Sequence, residues 1–558
     1  MQTPLTPDFY YLANFHKVLA WLGERYDDLL DADERTFLHQ LPALPLPAQA
    51  LLVRMIMRKG VHFRASKLSY GEIGCPHQAA QPLLETGWIT DRAQLPLGDL
   101  FPVLRKGEIL TSFAAHAPRA QLRKHELLEQ LDALFDETRS FADWCPDLPD
   151  TLYSVTIDAL CERLRLMFFG NLRQDWSEFV LAELGIFRYE QVALGPDSRA
   201  FRQRADVDHY LHLQRCRERF EAGEPITDVL DAIGPPISDN PYLTGRRDKL
   251  LFRIGQHLER EGEADTALAV YRASAHPGAR QRQVRILERQ ARHADAHALA
   301  QEALAAPFND AEAQLLQRAL LRLNRQLGLP APAKNRSAAP SRLDLNLPRP
   351  SGLSVEHCVR LHLGEPEAPV HYVENTLICG LFGLLCWEAI FAPLPGAFFH
   401  PFHSAPADLL AADFALRRTP LFNEALNLLD TPHYPQRIRQ TYQDKFGIQS
   451  PFVHWGVLDE TLLDQALACL PAAHLKAWFT RLLGDIQANR AGMPDLIQFW
   501  PAQQRYRMIE VKGPGDRLQD NQRRWLAFCA EHGMPVDVCY VQWTDASDAV
   551  QTDTALPA

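Results

Sequence analysis

The chain of 558 residues carries a formal net charge of −11, with 46% hydrophobic and 23% charged residues, which is long enough for several domains and ordinary for a soluble globular protein. Its ten cysteines include no Cys-x-x-Cys pair, no charged-then-apolar leader opens the chain, and the most apolar run, residues 376–387, is too short to cross a bilayer, so a zinc finger, secretion and a membrane span are not expected. Net acidity argues mildly against nucleic acid as a partner without excluding it, because binding needs only a local basic groove.

Residues 1–90 read as mostly helical, with i, i+3, i+4 apolar spacing over 9–22 and 34–41. From Leu51 to Tyr70 an apolar helix is expected to carry Arg54, Arg58, Lys59, Arg64 and Lys67 as a basic face, either a DNA contact or plain solvated surface. Residues 91–140 predict a second small unit, with helices over 100–115 and 123–131 joined by His-Ala-Pro-Arg-Ala. Leu-Phe-Pro-Val-Leu-Arg-Lys-Gly-Glu-Ile-Leu and Arg-Lys-His-Glu-Leu-Leu resemble the SAP motif, a helix–extended–helix DNA-binding unit; a plain helical hairpin is the alternative. Arg123 and Lys124 open its second helix, where backbone amides and side chains together suit a phosphate.

Residues 141–327 read as nearly all helix. Leu258-Glu-Arg recurs as Leu287-Glu-Arg and Ala264-Asp265 as Ala294-Asp295. With Tyr271, this offset of about thirty residues resembles degenerate tetratricopeptide repeats, and an irregular helical array fits equally well. Arg246, Arg247, Lys249 and Arg253 line one segment of it, and Arg280, Arg282, Arg285, Arg289 and Arg292 another. The Pro- and Ser-rich stretch 328–352 reads as a linker, 353–546 as an α+β or α/β domain, and 547–558 as a frayed tail.

Residues 494–513 carry the chemistry. Short apolar runs at Leu496–Trp500 and Met508–Val511 predict two strands, followed by a helix over 519–532 and a strand over 536–543. A hairpin places Asp495 beside Glu510, and strand alternation puts Glu510 and Lys512 on one face. Like charges buried together require a cation, and oxygen ligands of this kind suit Mg²⁺ or Mn²⁺. The set Asp495, Glu510 and Lys512 resembles the PD-(D/E)xK nuclease motif and gives three candidate catalytic residues. On an exposed strand the same Glu-x-Lys would be a solvated pair.

Arg-Ala-Gly-Met-Pro-Asp-Leu, Ile-Glu-Val-Lys-Gly-Pro and Asp516-Arg517-Leu518, with Gln522 and Trp525, resemble the VRR-type nuclease domain. The order of domains resembles the Fanconi-associated nuclease family, with Phe168-Phe169 and residues 184–187 as supporting matches. The resemblance implies a multidomain protein: a mostly α-helical N-terminal two-thirds, then an α/β PD-(D/E)xK domain. It implies a divalent-metal-dependent enzyme that cleaves 5′ flaps, digests DNA 5′ to 3′ and acts in interstrand crosslink repair on branched DNA. It implies Glu374 as a further metal ligand on a helix, beside Asp495, Glu510 and the Val511 carbonyl; Glu388 competes with it. Arg490 and Arg517 flank the motif and are expected to grip phosphates, or else to form surface salt bridges. Gln522 would order its helix against the site or touch DNA.

Eukaryotic members carry an N-terminal ubiquitin-binding zinc finger, and no Cys/His constellation here could build one. The chain resembles a bacterial version, expected in the cytoplasm with the nucleoid. Two alternatives stand beside this reading: a non-catalytic helical scaffold, and a nuclease subunit of an ATP-driven machine. No Gly-x-x-x-x-Gly-Lys-Ser/Thr occurs, so any motor would be a separate partner.

Overall fold

A computed structural model describes residues 9–116, 119–176, 187–330, 340–349 and 352–544. The chain divides into two compact units, residues 1–186 with 195–208, and residues 187–194 with 209–558.

In the first unit, helices Tyr10–Tyr26, Ala32–Gln40 and Leu46–Ile56 bury Leu12, Phe15, Leu22, Phe37, Leu51 and Leu52. Asp31 and Glu34 cap the second helix reciprocally. The basic helix expected over 51–70 stops at Ile56. Gly60, at φ 86°, turns the chain into β1 (His62–Arg64), which pairs with β3 (Leu152–Val155); β3 also pairs with β2 (Ile89–Thr90). The arginines of that stretch are used internally, Arg58 donating to the Lys67 carbonyl. Arg54 bonds Glu72 at 2.7 Å, and Arg64 bridges Glu108 and Asp150, each at 2.7 Å.

Among its described residues the SAP-like stretch has three α-helices where two helices were expected: Leu97–Val103, Lys106–Ser112 and Lys124–Asp132. The break falls at Leu104-Arg105, where the Glu108 carboxylate accepts from the Arg105 N–H at 2.6 Å and restarts the helix. Phe168 and Phe169 are buried at the end of helix Asp158–Phe169, whereas residues 184–186 lie outside the described residues.

In the second unit, helices Pro241–Glu261, Ala264–Arg272, Ala279–Arg289, His293–Ala305 and Asp310–Leu327 each pack on the next. Gly262 and Ala291 follow Leu258-Glu-Arg and Leu287-Glu-Arg at the same spacing, and both adopt left-handed backbone, at φ 86° and 56°. The array's arginines are mostly spent on its own carboxylates. Arg282, Arg285 and Arg289 surround Glu259, Arg280 pairs with Glu312, and Arg292 with Asp295. Arg247 is buried and donates to the Gly234 carbonyl.

The linker expectation fails over part of its length. Ser341–Pro348 is a strand, β4, on the edge of a five-stranded sheet. Leu343, Leu345 and Leu347 alternate as a strand requires, and Pro348 is tolerated because it ends an edge strand. The sheet continues through β5 (Val370–Tyr372), β6 (Leu496–Trp500), β7 (Arg505–Lys512) and β8 (Val536–Thr544), in the order β4-β8-β7-β6-β5. β4, β8 and β7 run parallel; β7, β6 and β5 run antiparallel. Ile497, Met508 and Val538 pack on helices Thr376–Leu385, Ala472–Gly484 and Asp520–Glu531. Leu496, Ile509, Val511 and Cys539 pack with helix Val355–Leu363 on the other face. Among the described residues no helix is long and apolar enough to cross a membrane.

Candidate active site

The hairpin of β6 and β7 sets Leu496 opposite Ile509, so Asp495, one residue before β6, faces Glu510. The Val511 N–H donates to Asp495 Oδ2 at 2.8 Å. Alternation sends Ile509 and Val511 to one core and Glu510 and Lys512 to the opposite face. Glu510 is 1% exposed, and Lys512 Nζ stands 2.6 Å from its Oε1. Gln522 Nε2 donates to the same oxygen at 2.6 Å, while its own Oε1 accepts from the Gln519 N–H that opens helix Asp520–Glu531. Gln522 thus ties that helix to the carboxylate. Helix Asp310–Leu327 braces it from outside, Arg318 holding Asp520 through two bonds of 2.6 and 2.7 Å.

Glu374 joins this group through the backbone. The Asp495 carbonyl accepts from both the Val373 and Glu374 N–H groups at 2.9 Å. Those two bonds to one oxygen tighten the turn after β5, and Glu374 takes a left-handed φ of 35°. It therefore precedes the helix, which starts at Thr376, and does not lie on it as the resemblance implied. Tyr372 Oη donates to Glu374 Oε2 at 2.8 Å and Asn375 Nδ2 to Oε1 at 3.2 Å. Glu388 instead lies in helix Trp387–Ile390, exposed and ion-paired with Arg437.

Burial lifts the Asp495 carboxyl to about 6; the Val511 N–H and Lys512 oppose this, and Glu356 and Glu374 add to it. Burial, then the charge of Asp495, lifts Glu510 to about 7 against the pull of Lys512. Among the described residues no three Asp, Glu, His or Cys side chains close into a ready-made metal cage. The donors nonetheless fit a hard divalent cation. Glu510 Oε2 is buried with no hydrogen-bond partner, and two facing carboxylates are held above their ordinary range, a strain that a cation relieves.

Arg490 and Arg517 are both exposed and, among the described residues, neither is ion-paired. In the first unit Arg123 is exposed, but Lys124 is not free: its Nζ donates to the Leu104 carbonyl at 2.7 Å, and burial holds its ammonium below the usual range. The first turn of that helix is already capped by Glu126, which accepts from the Arg123 N–H. Sequence reasoning passed over Tyr372, Asn375 and Glu356. Asn375 immediately before an apolar helix was the visible cue, since Asn favours that place.

Three family models match the chain: "FAN1, HTH domain" over residues 9–90, "Fanconi anemia-associated nuclease SAP domain" over 94–144, and "VRR-NUC domain" over 432–543. The Fanconi-associated nuclease 1 homolog of Pseudomonas aeruginosa is 60% identical over 97% of this chain and 98% of its own length. The chain belongs to the Fanconi-associated nuclease 1 family. A rice homolog in the same family is 25% identical over 95% of this chain and 62% of its own length. A crystal structure of paFAN1 bound to 2nt 5′flap DNA with gap is similar at a TM-score of 0.89 and 59% identity, covering 97% of this chain and all of that one (100%). The family assignment makes the protein a DNA phosphodiesterase of divalent-metal type.

Proposed function

We propose that the protein is a structure-selective nuclease that cuts 5′ flaps, digests DNA from 5′ ends and serves in repair of crosslinked DNA. One observation carries this reading: the hairpin that sets Asp495 against Glu510, with Lys512 on Glu510, in a fold similar to that of a relative seen with flap DNA. Asp495, Glu510, Glu374 and the Val511 carbonyl are the groups that would hold Mg²⁺ or Mn²⁺. Such an ion, when bound, lowers the pKa of a bound water and stabilises charge on phosphate oxygens.

The chain's own residues do the rest. Lys512, whose Nζ is 2.6 Å from Glu510, would orient the attacking water, deprotonate it once itself neutral, or steady the developing charge. Gln522 keeps Glu510 from rotating. Arg490 and Arg517, exposed on either side of the motif, meet the scissile strand's phosphates. Arg123 and the other exposed basic residues of the first unit hold duplex arms without reading bases. The scaffold alternative is disfavoured because Asp495, Glu510 and Lys512 are all present, with Asp495 facing Glu510.

The test is cleavage of end-labelled flap, nicked and intact duplex DNA with Mg²⁺ or Mn²⁺, with and without ATP. Cutting that favours the 5′ flap, needs metal and ignores ATP is expected. An ATP requirement would favour the motor-subunit reading, and no cutting with any DNA the scaffold.

A further inference from the structure

Glu374 is exposed, and a free glutamate at such a place would sample many rotamers. Here each carboxylate oxygen has a donor: Tyr372 Oη on Oε2 at 2.8 Å, and Asn375 Nδ2 on Oε1 at 3.2 Å. The Asn375 amide is used at both ends, because its Oδ1 accepts from the Met493 N–H at 3.1 Å. Two residues on, the Asp495 carbonyl returns the connection by accepting from Val373 and Glu374. The stretch 372–375 is therefore clipped twice to the stretch 493–495, once by backbone and once by the Asn375 side chain.

We propose that Tyr372 and Asn375 are positioning residues that aim the Glu374 carboxylate at the cation shared with Asp495. This rests on the reading of Glu374 as a metal ligand. Each donor occupies one lone pair of its oxygen and leaves others for a cation, the usual relation between a metal ligand and the groups that orient it. Tyr372 is the donor of this pair, because an ionised carboxylate oxygen can only accept. Asn375 does more than orient. Through Met493 it makes the placement of Glu374 depend on the Gly492–Pro494 turn that delivers Asp495.

The experiment is a Mn²⁺ titration of the full chain, read by thermal shift and by cleavage of flap DNA. The variants are Tyr372→Phe, Asn375→Ala, Asn375→Asp, Glu374→Gln and the Tyr372→Phe/Glu374→Gln pair. Asn375→Asp keeps the acceptor for Met493 but puts a like charge in place of the donor to Glu374, pushing that carboxylate off its aim, so it reports even where Asn375→Ala fails to fold. Tyr372→Phe and Asn375→Asp are each expected to raise the Mn²⁺ half-point by roughly tenfold or more. Excess Mn²⁺ should restore kcat, and metal-free melting and flap binding in EDTA should stay near wild type. On the Glu374→Gln background, Tyr372→Phe should add nothing, because both act through one carboxylate. Wild-type half-points for both single variants, with Glu374→Gln still shifted, would overturn the positioning role and leave the ligand reading standing. Additive losses in the pair would also overturn it. An unshifted Glu374→Gln would remove the ligand reading and the inference together.

Discussion

The Val511 N–H donates to Asp495 Oδ2 at 2.8 Å, so the strand that carries Glu510 also fixes the carboxylate facing it. This bond lies just past the end of the β6–β7 ladder and holds Asp495 where burial opposes its charge.

That conflict has a sign. The Asp495 carboxyl stands at about 6 in the fold, against roughly 3.9 in an unfolded chain. The folded state keeps the proton longer, so the stability this group confers is complete below about pH 4 and is lost as pH rises through about 6. Asp495→Asn can still accept from Val511. Without metal at pH 8 it should exceed wild type in stability by on the order of 3 kcal/mol, with the gap closing near pH 4. Calorimetry in EDTA across this range checks it. Added Mn²⁺ should raise the Tm of wild type and leave that of the variant nearly unmoved.

Gly492 lies at φ 92°, and a Cβ there would stand 2.8 Å from the Asn521 side chain. Gly492→Ala should cost about 1–2 kcal/mol in stability and lower kcat more than it raises KM, because this turn delivers Asp495. Adding Asn521→Gly removes the overlap but not the strained φ, so a partial recovery is expected. Thermal unfolding and steady-state kinetics on flap DNA read both effects.

Much of the site was legible because strands have a period of two. The apolar runs around Asp495 and Glu510 predicted the hairpin, and Ile-Glu-Val-Lys predicted which face each acid takes. β4 was hidden because the prolines and serines around it signal a linker more strongly than three alternating leucines signal a strand. Glu374 was expected on the helix because its exit from β5 is set by the Asp495 carbonyl, far away in sequence. The array's arginines read as a basic surface because sequence does not show that Glu259 sits among three of them. The bond from Lys124 to the Leu104 carbonyl was hidden too, because a backbone partner leaves no mark in the sequence.

That pairing divides two neighbouring cations in the first unit. Arg123→Glu in the full chain should raise the Kd for flap DNA and lower its salt slope by about one, as loss of a phosphate contact does. Lys124→Met should act mainly on stability, through the lost bond to Leu104. Anisotropy across a salt series, beside thermal melts of both variants, separates the two roles.

The most direct measurement is single-turnover cleavage of 5′-labelled flap DNA with Mn²⁺ at saturating enzyme, comparing wild type with Asp495→Ala, Glu510→Ala and Lys512→Ala. Wild type should cut, and each variant should lose about 10²- to 10³-fold or more in rate. The two carboxylate variants should bind the DNA in EDTA at least as tightly as wild type, since repulsion of phosphate is eased. Substantial cutting by any one of the three variants would contradict the assignment of the active site.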